Sequence, residues 1–198
     1  FKLDADGEYV ALVQDPAVPV VAHAYGAREQ RTDVSFGLVG VDTGLLEPTL
    51  YSFMIEPTPG ALNAYDSAQS DATTPPDLSH IHGHYDAAFD LSLTGTEAGT
   101  AIYYTLDGSL PSQVSGTLYN APIPVTDNTV LRAIAYAPDR IGSKVVTATY
   151  IIGANAVERT LPALSVVGDP EKDLWGPDGI MVVNGGYYDV SGNWQPLA

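Results

Sequence analysis

Short runs in which apolar and polar residues alternate set the pattern of this chain, and no long apolar stripe of 3.6-residue period appears. Residues 101–119, AIYYTLDGSLPSQVSGTLY, read as a strand, a tight turn and a return strand. On an extended backbone Ile102, Tyr104 and Leu106 share one face, while Ala101, Tyr103 and Thr105 share the other. Asp107-Gly108 stops the strand, because glycine takes a positive φ without strain and aspartate can bond its own backbone. Pro111 keeps the ladder from resuming at once. Phe89, Leu91 and Leu93 alternate with Asp90 and Ser92, as in a half-buried strand. Residues 121–125 read as a proline-flanked edge piece. In 129–136, TVLRAIAY, Leu131, Ala133 and Ala135 share an inner face, and Arg132 turns the other toward water. The small alanines allow close packing by an opposite sheet. Residues 139–142 form a turn, and 144–152, KVVTATYII, a last strand with Val146, Ala148 and Tyr150 on one face.

Toward the N-terminus, residues 1–13 read as a hairpin around Asp6-Gly7, with 20–24 and 33–37 as further strands and 56–63 as a turn-rich, proline-stiffened ending. The polar run 65–76 ends in two prolines and reads as a linker. After a connector at 153–160, residues 164–167 and 180–183 read as strands, with a loop at 173–179 between them.

Composition agrees with many short strands. Of 198 residues, 19 are glycine and 15 proline, placed at short intervals, while 45% are hydrophobic, enough for a real core. No run approaches the roughly 20 apolar residues that span a bilayer as a helix. Acidic residues outnumber basic ones 24 to 8, for a net charge of -16. Such a surface repels phosphate backbones, which argues against nucleic acid as a partner, and it attracts cations. With no cysteine there is neither a disulfide nor a thiolate metal site. Acidity suits a saline or calcium-containing exterior, and the start at Phe1 suggests a mature product or a piece of something longer.

Two groups carry candidate metal chemistry. His80, His82 and His84 alternate, so on a regular strand three imidazoles would share one face, a donor set suited to zinc or copper. Gly83 disturbs such a strand, and spacing fixes no fourth ligand. Asp4, Asp6 and Glu8 are candidate calcium ligands, yet the further ligands and closing glutamate of a full calcium loop are missing, which favours a plain turn. No cofactor is expected, and calcium at the acidic group is the one exception considered beside the histidine metal set. Neither a nucleophile motif such as GxSxG nor a phosphate-loop pattern occurs, and Gly185-Gly186 alone makes none. The chain is expected not to be an enzyme.

Three stretches resemble known families. GEYVALV, a strand ending in HAYG, DVSFG and PTPGALN look like the second half of a lamin-tail domain, an immunoglobulin-like β-sandwich often found in large secreted bacterial proteins. The family's first strands are absent, which implies an incomplete sandwich. YYTLDGSLPS, SGTLYNAPIPV, TVLRAIAY and SKVVTATYII resemble the chitobiase/β-hexosaminidase C-terminal, or fibronectin type III-associated, domain. That resemblance implies an immunoglobulin-like sandwich accompanying catalytic domains without being one. PALSV, DLWGPDGI and NW resemble the opening of the CotH (spore-coat protein H) kinase-like domain, and no kinase residue carries over.

The expected fold is all-β: a truncated lamin-tail-like β-sandwich at 1–64, a linker at 65–77, an immunoglobulin-like β-sandwich at 78–152, a linker at 153–161 and a short β-containing C-terminal extension at 162–198. The expected role is a structural or adhesion module, extracellular or on a bacterial cell surface. Its expected partners are other copies of itself, joined by strand sharing into a filament or larger assembly, or other domains of a longer parent chain. The alternative is a carbohydrate-binding accessory of a polysaccharide-degrading enzyme, with 12 tyrosines and two tryptophans as stacking platforms.

Overall fold

A computed structural model describes residues 4, 6–15, 17, 20–31, 34–39, 51–61, 63, 68–69, 71–153, 163–169, 173–176, 179–181 and 186–196. The chain is all-β, and the described residues hold no α-helix. No helix among them is long and apolar enough to cross a membrane. Two compact units divide the chain, Phe1–Asp71 and Ala72–Ala198.

In the first unit, β1 (Val10–Val13) pairs antiparallel with β2 (Val21–Tyr25), with an irregularity between Leu12 and Val13. Of the first extended run expected in the hairpin at 1–13, before Asp6-Gly7, residues 1–3 and 5 lie outside the described residues. A three-stranded antiparallel sheet follows, ordered β3 (Ser35–Leu38), β4 (Tyr51–Met54), β5 (Ala68–Gln69). Its core is small: Val39, Phe53 and Met54 are buried, and rings continue the packing. Tyr25 meets Tyr51 edge-on at 5.3 Å, Phe36 lies 5.1 Å from Phe53, and the Arg28 guanidinium sits 4.5 Å above Phe36. The turn-rich ending is present, with Gly60 at φ +79° and the Asn63 amide donating to the Leu38 carbonyl at 2.6 Å.

The second unit contains a two-layer sandwich. One layer is a five-stranded sheet, ordered β11 (Thr117–Leu118), β10 (Ala101–Thr105), β13 (Thr129–Tyr136), β14 (Val146–Ile152), β7 (Gly83–Tyr85). Only β7, on β14, pairs in parallel. The other layer contains β8 (Phe89–Leu91) paired with β12 (Ile123–Val125), and β6 (Asp77–Leu78) paired with β9 (Leu93–Thr94). Leu91, Leu93, Ile123 and Val125 from this layer form one core with Ile102, Leu131, Ala133, Ala135, Ala148 and Tyr150 from the five-stranded sheet. Alternation places them there: β13 buries every second residue, and Ala148 of β14 stands beside Leu131. Such a two-sheet arrangement is an immunoglobulin-like β-sandwich.

Four expectations need correction. Leu106 does not continue the inner face of β10; it is 45% exposed, because the strand ends at Thr105, whose hydroxyl turns back to donate to the Ser109 carbonyl at 2.7 Å. The stretch expected to be a linker carries ordered pairing: Ala68–Gln69 joins β4, and Thr73 is buried against the turn at 138–141. The Thr73 amide and hydroxyl both donate to the Ile141 carbonyl, at 2.9 and 2.8 Å, and the hydroxyl accepts from the Ala137 amide at 3.0 Å. Residues 164–167 belong to no sheet, with Leu164 90% exposed. Of the strand expected at 180–183, Ile180 and Met181 lie in a turn, and 182–183 lie outside the described residues. A hairpin not anticipated from the sequence joins β15 (Gly186–Tyr188) to β16 (Trp194–Pro196), its turn organised by the Asp189 carboxylate, which accepts from the Ser191 and Asn193 amides.

Candidate functional site

The three clustered histidines do not act together. His80 precedes β7, and its ring stacks on Phe89 at 4.1 Å and meets Tyr85 at 5.6 Å. Its Nδ1 lies 3.0 Å from the Ser79 hydroxyl, and its carbonyl accepts the Tyr150 hydroxyl at 2.9 Å. His80 is thus an aromatic packing residue at the end of the core. The expected three-imidazole face fails because packing on Phe89 holds the first ring, and Gly83, at φ +147°, departs from regular strand geometry.

His82 and His84 instead line a cleft of about 670 Å³ on the outer side of β14 and β7. Thr147, Thr149 and Ile151 of β14 form its floor, and Ala163, Ser165 and Val167 line its opposite wall. The floor follows from alternation: Ala148 and Tyr150 point into the core, so the threonines point out. One hydrogen bond, 2.7 Å between the Thr149 and Ser165 hydroxyls, ties the wall segment to the sheet. His84 Nδ1 is buried without a hydrogen-bond partner. The threonine face was legible as a polar strand face; the wall was not, since 163–167 lies on it without backbone pairing to a strand.

Asp4, Asp6 and Glu8 form no ligand set either. Asp4 Oδ1 accepts from the Asp6 amide at 3.2 Å, and the Asp4 carbonyl accepts from the Gly7 amide at 3.1 Å. Gly7 has φ +99° in this turn, so the aspartate works on its own backbone. Among the described residues no group of three or more His, Asp or Glu could hold a metal ion.

Most sandwich aromatics turn inward, while alternation puts Tyr103 and Tyr136, half-buried, on the outer face of the five-stranded sheet. Tyr150 is fully buried, and burial, assisted by neighbouring Tyr85, pushes its hydroxyl up to about 12. Tyr85, Phe89, Tyr104 and Tyr119 pack partly buried against the same core. Tyr103 and Tyr136 meet edge-on at 6.0 Å, and burial raises the Tyr136 hydroxyl. The more exposed large aromatics among the described residues, Tyr9, Trp175 and Trp194, lie outside the sandwich strands. Perturbed carboxylates mark turns and clamps: bonds from the Thr74 hydroxyl and amide hold Glu97 below its usual range, and Ser109 does the same for Asp107.

No curated protein and no solved structure matches the chain. The family model described as Fn3 associated matches residues 91–150, less than half of the chain and within the sandwich, from Leu91 of β8 to Tyr150 of β14. The lamin-tail and CotH resemblances fall outside that match. The part of the chain that folds as the two-layer sandwich is therefore similar to the Fn3-associated family.

Proposed function

We propose that the chain is a non-catalytic structural module of an extracellular or cell-surface protein, with the Fn3-associated sandwich as its centre. One observation carries this reading: Tyr85, Phe89, Tyr104, Tyr119 and Tyr150 pack on the core, and the outer pair Tyr103 and Tyr136 is half-buried edge-on against itself, so these rings form no exposed row along a groove. A sugar-reading surface needs such a row, because stacking on sugar faces requires accessible rings. The Fn3-associated match supports an accessory role. The flanking stretches that resemble lamin-tail and CotH sequences are read as parts of neighbouring domains in a longer parent chain. Partners are then those domains or further copies, met along strand edges such as that of β7.

The test is depletion of the purified chain from solution by insoluble cellulose, chitin and xylan. The structural reading predicts that the protein stays in the supernatant with each. Depletion by any of them that a soluble oligosaccharide of the same type reverses would replace it with the carbohydrate-binding alternative.

A further inference from the structure

We propose that His82 and His84 form an exchangeable two-imidazole site for a borderline transition-metal ion of the Zn²⁺ class. The proposal is independent of the structural role above. Both side chains line the same cleft, two positions apart at the start of an edge strand. Among the described residues, the other polar lining groups are the hydroxyls of Thr147, Thr149 and Ser165, and no carboxylate lines the cleft. Such a donor set disfavours Ca²⁺ and Mg²⁺, which need several charged or carbonyl oxygens, and suits an imidazole-preferring ion. His80 takes no part, since its ring is stacked on Phe89.

The geometry also fixes how the site would work. His84 Nδ1 is buried, so Nε2 is the atom left to coordinate, and the proton then sits on Nδ1. Nδ1 has no acceptor there. Tight sites anchor that second nitrogen, and losing such an anchor costs about 10–100-fold in affinity. With two protein nitrogens and no third His, Asp or Glu joined to them among the described residues, the remaining coordination positions are open to water or a further donor. The site is therefore open and exchangeable rather than structural. The net charge of -16 draws cations toward the molecule.

The experiment titrates Zn²⁺ into the whole chain, with excess Mg²⁺ present to occupy surface carboxylates, and follows amide resonances and binding heat. The expected result is one saturable event whose shifts centre on residues 82–84, 147–151 and 165. His82→Ala and His84→Ala should each weaken it by about tenfold or more, while His80→Ala leaves it in place. His84→Gln, which keeps a polar side chain in the half-buried position, serves if the alanine variant melts early. No saturable binding, or binding that survives His82→Ala/His84→Ala unchanged, overturns the proposal.

Discussion

Leu131 is fully buried in β13, with Ala148 beside it on the neighbouring strand. Leu131→Ala deletes a side chain that surrounding strands cannot collapse onto, so stability should fall by about 2–5 kcal/mol. A urea midpoint unchanged by this substitution would contradict its place in the core. Tyr150 carries a second residue-scale prediction. Its folded hydroxyl is raised from 10.0 to about 12, chiefly because burial disfavours the phenolate. A raised value means its contribution is complete below pH 10 and is lost as the pH climbs toward 12. Thermal melts across that window should show a steep alkaline loss for the parent and a shallower one for Tyr150→Phe. Equal alkaline limbs would mean that the hydroxyl is not buried.

The elements divide by how they are held together. β13 and β14 were legible because one face is buried and the other is not, and a period of two then writes burial directly into the residue order. The Asp107-Gly108 turn was legible because its backbone demands glycine, observed at φ +85°. Elements built from hydrogen bonds rather than apolar alternation left no such trace. Thr73 sits in a polar run, yet its hydroxyl serves both the Ala137 amide and the Ile141 carbonyl. Likewise the β15–β16 hairpin is organised by one aspartate, and alternation at 164–167 marks a segment lying on a sheet instead of one within it. For the candidate site, the spacing of the histidines was readable, but the diversion of His80 depends on Phe89, a contact that spacing cannot reveal. Thr73→Val tests the bonded type of element: it keeps the shape, strands a buried amide, and should cost about 1–3 kcal/mol. A valine variant as stable as the parent by chemical denaturation would show that packing alone fixes the strap.

At the scale of the whole molecule, charge and core act in opposite directions. A net charge of -16 destabilises the compact state through self-repulsion, while the sandwich core stabilises it. Screening weakens repulsion between exposed charges, with a Debye length that falls from about 30 Å at 0.01 M salt to about 8 Å at 0.15 M. The melting temperature should therefore rise with sodium chloride over that range, and a flat or falling curve would contradict it. The role proposed for the molecule rests on where its aromatic rings lie, and this is open to direct measurement. Tyrosine nitration of the folded chain, resolved by residue with mass spectrometry, reads ring accessibility. Burial predicts rapid reaction at Tyr9, 63% exposed, slow reaction at Tyr85 and Tyr104, and none at Tyr150 before unfolding. Modification of Tyr104 and Tyr150 as fast as Tyr9 would put those rings on an accessible platform, and the structural reading would fail.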